Sequence, residues 1–246
     1  MGESNCFKKD SLLPQNYMER SKKYRAVAEK IDKNKIYSLE EAVNLMKENK
    51  LAKFDESVEV HIKTNIDPKK GDQQIRGIVD LPHGTGKSKL IAVITSTHAK
   101  DAKEAGADVV GGEELIEKIK SGKAFSGKDK FDILIATPEM MPKLAPVAKI
   151  LGPKGLMPNP KTETVTTKIK ETVAALKKGK AAFKNDDGGN VHQIVGKISF
   201  EDAKLNENIK TFVSSLEKSK PSGLKGKLIS GINICSTMGV GIRISL

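Results

Sequence analysis

The stretch LPHGTGKSK at positions 81–89 has the residue types of a phosphate-binding loop. In such a loop a lysine and a hydroxyl residue follow a glycine and contact the phosphates of a nucleotide, as positions 86–88 could do. The first glycine of the pattern is replaced by Leu81, and the stretch precedes an apolar strand, whereas a phosphate loop follows one and opens a helix. We therefore interpret it as a hinge with Gly84 and Gly86 as pivots.

The histidines and cysteines do not have the spacing of a metal or catalytic site. No two histidines are four residues apart, the spacing that places two ligands on one face of a helix. Two cysteines are too few for a zinc site or a disulfide framework. No serine, histidine and aspartate arrangement is evident, although a triad can be assembled from any chain order. The prediction is a protein without catalytic residues, metal or cofactor. The residues concerned are His61, His83, His98, His192, Cys6 and Cys235.

The segment KFDE at positions 53–56 places an aromatic residue beside a lysine at the start of a strand. Phe54 in this position could stack on a base or ribose, with Lys53 near a phosphate. The alternative is a core position, which is the commoner fate of a lone aromatic before a strand. For Asp55 and Glu56 we expect surface salt bridges.

The segment STMG at positions 236–239 lies at a turn between two strands. Met238 would be exposed there unless another surface packs on it. Thr237 offers a hydroxyl that could reach an RNA 2′-OH, and Gly239 lets a backbone come close. These features predict a shallow contact that recognises RNA shape, and the alternative is an ordinary hairpin turn.

The loop GPKGLMPNPK at positions 152–161 contains three prolines, which fix φ and lack a backbone N–H. Leu156 and Met157 lie within it and are expected to anchor it to a core. A rigid basic loop that carries Lys154 and Lys161 is more consistent with display of a surface than with a slack linker. The alternative is an ordinary connection between helices.

The charge of the chain indicates a polyanionic partner. The 246 residues include 43 Lys+Arg and 31 Asp+Glu, which gives a net charge of +12. Such an excess is typical of proteins that bind nucleic acid, and the alternative is a lysine coat that only solubilises the chain. Only four of the basic residues are arginine, so the surface suits phosphates better than bidentate contacts to bases. A chaperone that binds any RNA through charge alone is also compatible with this composition.

The pattern over the first 84 residues predicts two helices followed by a hairpin. Apolar residues at helical spacing predict helices over 21–31 and from Ser38, where SLEE is a capping box that closes on Glu41. Alternation over 57–63 predicts a half-buried strand, and 74–81 is expected to return beside it.

Between positions 89 and 178 strands alternate with helices. The apolar run 90–94 predicts a strand buried on both faces of a parallel sheet. The alternation predicts βαβ units and a doubly wound, Rossmann-like sheet. No G-x-G-x-x-G follows the first strand, so the fold by itself does not indicate a dinucleotide cofactor. Further strands are expected at 107–110 and 131–136, and helices at 98–105, 113–120, 140–150 and 166–178.

Beyond Gly179 the antiparallel pattern returns. Strands are expected at 181–183 and 194–198 on either side of a turn at 185–190, and an amphipathic helix over 201–219. Two further strands, 228–235 and 240–244, flank the STMG turn.

The simplest architecture is a mixed, two-domain fold made by insertion. An α+β domain is formed by both chain ends, 18–84 plus 179–246, and an inserted α/β domain spans 85–178. The chain would cross between them at Gly84 to Gly86 and at Gly179, which makes a hinge. Residues 1–17 are expected to be a disordered extension without a secretory signal. A nucleotide-dependent enzyme in the inserted domain is the alternative function from another class.

Nearly the whole chain, from position 19 to 244, resembles the ribosomal L-one family of bacteria, the stalk proteins of the large subunit. The stretches that carry the resemblance are SKKYRAVAEKID at 21–32, KFDESVEVHIKTNIDPKKGDQQIRG at 53–77, LPHGTGK at 81–87, GADVVGG at 106–112, GPKGLMPNPK at 152–161, TETVTT at 162–167 and STMG at 236–239.

This resemblance implies a structural, non-enzymatic constituent of the large ribosomal subunit in the cytoplasm. It implies a two-domain protein whose first domain grips large-subunit rRNA and forms a mobile stalk, which moves as deacylated tRNA leaves the exit site. It also implies repression of translation through the leader of the protein's own mRNA. We expect a monomer when free and no membrane partner.

The resemblance also suggests which residues contact rRNA. The family's Thr-Met-Gly triad corresponds to Thr237, Met238 and Gly239, and its phenylalanine at the helix-to-strand junction corresponds to Phe54. Basic residues of the same expected surface are Lys53, Lys70 and Lys184.

Overall fold

The computed structural model describes residues 21–32, 35–96, 99–122, 130–221, 223–224 and 226–245. Within these ranges helices and strands are mixed along the chain, which confirms the expected mixed α/β class. The extension predicted for residues 1–17 lies outside the described residues. None of the described helices combines the length and the apolar character that a membrane span requires.

The larger sheet brings together strands from both ends of the chain. Its central strand β1 (Ser57–Thr64) lies between β7 (Asn190–Lys197) and β8 (Ile229–Ser236), and β9 (Ile242–Ile244) follows β8 at the edge. All three pairings are antiparallel. The strands predicted on either side of the STMG turn therefore do pair with each other.

One face of this sheet forms the larger hydrophobic core. Val58, Val60 and Ile62 are fully buried on β1, as the alternation of its sequence predicts. The helices that contribute to this core are α1 (Lys22–Lys30), α2 (Leu39–Glu48) and α8 (Asp202–Lys218). The capping box predicted at the start of α2 is confirmed, because the Ser38 side chain accepts from the Glu41 N–H and the Glu41 carboxylate accepts from the Ser38 N–H.

The hairpin predicted for the first segment is wrong. Strand β2 (Arg76–Asp80) pairs with β6 (Lys180–Lys184) in a separate two-stranded sheet, not with β1. Buried Ile75 fixes this arrangement, because its N–H donates to the Asn185 side chain at 2.9 Å and its carbonyl accepts from the Asn185 N–H at 3.1 Å. The expected pairing across the turn 185–190 is reduced to one bridge between Asn185 and Val191.

The middle of the chain forms a three-stranded parallel sheet. Strand β3 (Ile91–Ile94) lies between β4 (Val109–Gly111) and β5 (Ile133–Ala136). All four β3 residues are buried, and alternate residues contribute to different hydrophobic clusters on the two faces. The prediction of a strand buried on both faces is therefore confirmed.

Helices cover both faces of the parallel sheet. They are α3 (Ala99–Glu104), α4 (Glu113–Lys120), α5 (Met141–Leu144), α6 (Ala148–Leu151) and α7 (Ile169–Lys178). The continuous helix predicted over 140–150 is wrong. Pro142 and Pro146 each lie at the start of a new turn, so α5 and α6 are separated by the 3₁₀ turn Ala145–Val147.

The two points where the chain passes into and out of the parallel-sheet region touch each other. Gly84 has φ +64°, and Gly179 has φ +132°. A Cβ atom on Gly179 would lie 2.5 Å from the Gly84 Cα and 2.9 Å from the Leu81 carbonyl oxygen. Only glycine allows this close crossing, since both the backbone angle and the space exclude a side chain.

Candidate nucleic-acid interface

The STMG turn, residues 236–239 and from here on the Thr237 turn, is hydrogen-bonded directly to the start of β1. The Thr237 N–H donates to the Ser57 carbonyl at 3.1 Å, and the Ser57 N–H donates to Thr237 Oγ1 at 3.0 Å. The hydroxyl in turn donates to the Ser57 carbonyl at 3.3 Å. The Thr237 hydroxyl therefore serves first to position the turn, and it keeps acceptor capacity for a 2′-OH.

A buried carboxylate joins the KFDE segment to the same turn. Glu56 is completely buried, its Oε1 accepts from the Ala52 N–H at 2.8 Å, and its Oε2 accepts from the Met238 N–H at 3.3 Å. The expectation that Glu56 forms a surface salt bridge is therefore wrong. One carboxylate satisfies the Ala52 N–H nearby and the Met238 N–H, which lies 182 positions from Glu56 in sequence.

Glu56 remains ionised despite its burial. Burial acts to raise its pKa, but hydrogen bonds from the Ser236 hydroxyl and from the Ala52 and Met238 N–H groups act in the opposite direction, together with the charge of Lys50. The net effect is a pKa below the usual value for a glutamate. The negative charge thus holds both loops in place at neutral pH.

Phe54 and Met238 are exposed on this fixed framework. Each side chain is 54% exposed, although both are large and apolar. The core alternative for Phe54 is therefore wrong. The Met238 N–H donates to Glu56, and Phe54 lies two residues before Glu56 in sequence. The two apolar side chains therefore lie at the same end of the sheet. Exposed apolar groups on a hydrogen-bonded backbone can stack on or pack against unpaired bases.

Gly239 is required by the packing of the turn. Its N–H donates to the Ser236 carbonyl at 3.0 Å, and a Cβ atom at this position would lie 2.4 Å from Ser236 Oγ. Ser236 is buried at the end of β8, where its hydroxyl bonds to Glu56. Any side chain at position 239 would displace that hydroxyl.

Polar contacts fix the backbone that follows Lys53. The Asp55 carboxylate accepts from the Ser199 hydroxyl at 2.9 Å and from its N–H at 3.2 Å. Lys197 Nζ donates to the Asp55 carbonyl at 3.1 Å and to the Ser57 hydroxyl at 3.0 Å. Lys53 is exposed beside this network, so its charge is available to a phosphate next to Phe54.

The structure does not bring Lys70 and Lys184 to this end of the sheet. Lys70 follows the opposite end of β1, which extends for about 23 Å at roughly 3.3 Å per residue. Lys184 ends β6, where it pairs with Arg76. The predicted basic residues therefore lie at three places: Lys53 beside Phe54, Lys70 beyond the opposite end of β1, and Lys184 in the two-stranded sheet.

Lys184 lines a separate cleft that includes the proline-rich loop. The cleft has a volume of about 450 Å³ and is lined by basic side chains of β2 and β6 and by residues of the loop 152–161. Leu156 and Met157 pack against the core cluster of the parallel sheet, which confirms that they anchor this loop. The basic lining residues are Arg76, Lys180 and Lys184.

The stretch 81–89 does not have the geometry of a phosphate loop. It leads into β3 and not into a helix, and Gly84 and Gly86 both have positive φ. Buried Asn208 holds it, because its side chain donates to the Gly84 carbonyl at 3.0 Å and accepts from the His83 N–H at 3.3 Å. The position before a strand therefore argues against nucleotide binding, and the hinge at Gly84 and Gly86 stays a prediction.

Sequence reasoning missed the residues that support the interface and the one that holds the stretch 81–89. Glu56, Ser236, Lys197 and Asn208 act through contacts between segments far apart in the chain, so no local pattern identifies them. The sequence offers only a weak signal for two of them. Glu56 lies two residues after Phe54, and Ser236 lies one residue before Thr237.

Comparison with known proteins gives consistent results. A family model described as the ribosomal protein L1p/L10e family matches residues 46–240. A large ribosomal subunit protein uL1 from Mycoplasma capricolum is 50% identical over 224 residues, which cover 91% of this chain and 97% of that protein. The proteins of the same name from Mesoplasma florum and Phytoplasma australiense are 49% and 50% identical over 226 and 228 residues. These alignments cover 92% of this chain and 98% and 97% of the two relatives.

Proposed function

The chain belongs to the ribosomal protein L1p/L10e family, and from this premise we propose that it binds large-subunit rRNA through the Phe54 end of its antiparallel sheet. Members of the family are structural proteins of the large ribosomal subunit and not enzymes, which confirms those two expectations. The cytoplasmic ribosome is accordingly its place of action.

The observation that carries the proposal is the exposure of the Phe54 and Met238 side chains on a backbone that is held by hydrogen bonds to Glu56. Both side chains are 54% exposed, and Glu56 bonds to the backbone on both sides. Exposed apolar groups are costly unless a partner covers them. Folded RNA offers unstacked bases and shallow grooves that such groups fit, so they supply specificity by shape.

Lysines supply the part of the affinity that depends on salt. Lys53 stands beside Phe54, and the net charge of +12 attracts phosphates over the whole surface. Lys70 lies beyond the opposite end of β1 and Lys184 lies in the separate two-stranded sheet, so we assign them to other stretches of RNA backbone. Phosphate contacts fix the position of the RNA, while the Phe54 end reads its shape.

We also propose that the chain consists of two domains joined at a hinge. The α+β domain comprises 18–84 plus 179–246, and the inserted α/β domain comprises 85–178. Support comes from separate hydrophobic clusters and from the crossing of Gly84 and Gly179. The hinge, with Gly86 beside it, would let the inserted domain swing as the stalk meets deacylated tRNA at the exit site.

A further proposal is that the same surface represses translation of the protein's own mRNA. A leader that folds like the rRNA site would compete for Phe54 and the Thr237 turn. Competition between an rRNA stalk fragment and the mRNA leader for purified protein tests this. Independent binding of both RNAs to one chain would contradict the proposal.

The principal experiment is a salt series with the rRNA stalk fragment and an unrelated structured RNA of equal length. Met238→Ala and Phe54→Ala should each weaken binding to the stalk fragment by about 1–3 kcal/mol, and leave binding to the unrelated RNA unchanged. Ile36→Ala is the matched control, since Ile36 is an apolar side chain of similar exposure, 53%, outside the proposed contact. Normal stalk binding by both variants would contradict the site.

A further inference from the structure

The open face of the antiparallel sheet carries a cluster of metal-ligating side chains. Glu59 and His61 are alternate residues of β1 and point away from the buried Val58 and Val60. Strand pairing places Cys235 of β8 directly opposite Glu59, and His192 of β7 directly opposite His61. A glutamate, two histidines and a cysteine therefore meet on one face, although they come from three strands.

Three of these residues direct possible ligand atoms toward one point. Cys235 Sγ lies 3.0 Å from His61 Nε2, and Glu59 Oε2 lies 3.8 Å from the same nitrogen. All three ligand atoms lie within 4.8 Å of one another. Two ligands on a tetrahedral zinc ion, each about 2.0–2.3 Å from the metal, are about 3.3–3.6 Å apart. The two separations from His61 Nε2 lie on either side of that range, so metal binding would lengthen the Cys235 contact and shorten the Glu59 contact through side-chain rotation.

A second set of contacts fixes the orientation of His61. Its other ring nitrogen, Nδ1, lies 2.7 Å from His192 Nδ1, and His192 Nε2 lies 3.3 Å from Asp186 Oδ2. In the tautomer in which His192 Nε2 donates to Asp186, His192 Nδ1 accepts from His61 Nδ1. The lone pair of His61 Nε2 then faces Cys235. A histidine ligand whose second nitrogen is hydrogen-bonded in this way is the usual arrangement around protein-bound metals.

Asp186 is itself held in a rigid turn. The Asn190 N–H donates to Asp186 Oδ1 at 2.6 Å and the Gly188 N–H donates to it at 2.9 Å. The hydrogen bonds of this turn therefore fix Asp186, from which contacts run through His192 and His61 to Cys235.

We propose that Glu59, His61 and Cys235 bind one borderline divalent transition-metal ion, of which Zn²⁺ is the representative. Imidazole nitrogen, thiolate sulfur and carboxylate oxygen are the ligands that Zn²⁺ uses in proteins, and the set excludes the hard cations Mg²⁺ and Ca²⁺. The metal–sulfur bond forms as the thiol proton of Cys235 is released to solvent. The fourth coordination position lies on the solvent side of the sheet, and His192 is a positioning residue.

A nucleophilic thiol is the weaker interpretation of the cluster. Burial, together with the negative charge of Glu59, raises the pKa of Cys235 to about 11. Such a thiol holds its proton at neutral pH and reacts slowly with electrophiles.

Cobalt(II) titration of the full-length, reduced protein tests the proposal. One equivalent of Co²⁺ should produce a thiolate-to-cobalt charge-transfer absorption, and one equivalent of Zn²⁺ should remove it. Cys235→Ser should abolish this absorption, whereas Cys6→Ser is the matched control and should retain it. Glu59→Gln and His61→Gln should weaken Co²⁺ binding at least tenfold, and His192→Gln should weaken it about 10–100-fold without removing the thiolate band.

Circular dichroism and melting of each variant without metal show that the fold is intact before titration. The proposal is overturned if Cys235→Ser keeps the charge-transfer band, or if Co²⁺ binds the wild type without saturating at one equivalent. It is also overturned if Glu59→Gln, as a folded variant, binds Co²⁺ as tightly as the wild type does.

Discussion

Glu56 determines the geometry of the proposed interface through its two carboxylate oxygens. Each oxygen accepts from a different segment, and burial leaves no water to replace a lost acceptor. In Glu56→Gln one oxygen becomes an NH₂ group, so the Ala52 or the Met238 N–H loses its partner. We expect the free energy of unfolding to fall by about 1–3 kcal/mol. Urea denaturation measures this change.

The matched control for that prediction is Glu29→Gln, which makes the same chemical change at an exposed position of α1. It should leave the urea midpoint unchanged. A Glu56→Gln variant as stable as the wild type, with unchanged stalk binding, would show that the carboxylate does not hold the two segments together.

Asp186 should make the stability of the protein depend on pH in acid. The Asn190 N–H is the main cause that lowers its pKa from 3.8 to about 2, with further help from His192 and the Gly188 N–H. Between these values the unfolded chain binds a proton more readily than the folded chain. The contribution of Asp186 to the free energy of unfolding is therefore fully present above about pH 4 and is lost as the pH falls toward 2.

Denaturation curves at several pH values between 2 and 5 measure this dependence. Asp186→Asn removes the titrating group, so its stability should fall less steeply over that window than the stability of the wild type. Asp187→Asn, an exposed neighbour, is the control and should follow the wild type. Because Asp186 is 41% exposed, solvent screening reduces the size of the effect. Parallel curves for wild type and Asp186→Asn would refute the assignment.

At the scale of elements, the Thr237 turn is shaped by the close approach of Gly239 to Ser236. A methyl group at position 239 would lie 2.4 Å from Ser236 Oγ, so Gly239→Ala should destabilise the protein by about 1–3 kcal/mol. Stalk rRNA binding should fall as well, because the displaced hydroxyl disturbs Glu56. Thermal or urea unfolding and RNA titration measure the two effects.

A double variant separates this clash from other effects of alanine. Ser236→Ala removes the hydroxyl, so the additional cost of Gly239→Ala should be smaller in that background than in the wild type. Equal costs in both backgrounds would mean that the close approach does not matter. Gly241→Ala, where no atom lies within 4 Å of an added Cβ, is the control.

Local patterns predicted the elements well where local physics decides them. The run around Ile91–Ile94 predicted a strand buried on both faces, and Ser38 with Glu41 predicted the start of α2. The partner of β2 was not predictable, because alternation shows that a strand exists but not which strand it joins. Glu56 illustrates the same limit: it is buried and bonded to the Met238 N–H, which lies 182 positions away.

At the scale of the whole molecule, the crossing of Gly84 and Gly179 makes the inserted segment separable. Since the two backbones touch there, a short Gly-Ser linker can replace residues 85–178 without stretching the chain. We expect the shortened chain to fold, because the larger core contains residues only from outside the insertion. It should keep its preference for the stalk fragment over unrelated RNA.

Circular dichroism and the same RNA salt series test this expectation. Weaker salt dependence is expected, since the lysines of the insertion are lost. A shortened chain that unfolds, or that binds both RNAs equally, would mean that the two proposed domains are not independent.

The hydrogen bond between Ser57 and Thr237 joins residues that are 180 positions apart in sequence, so the ribosome makes its two partners at very different times. A growing chain displays Phe54 early, but Thr237, Met238 and Ser236 are added only near the end of translation. Until then the Glu56 carboxylate lacks two of its three hydrogen-bond donors, and β1 lacks one neighbouring strand. On the proposed function, an unfinished chain lacks residues 236–239, so binding of stalk rRNA should begin only when the chain is complete.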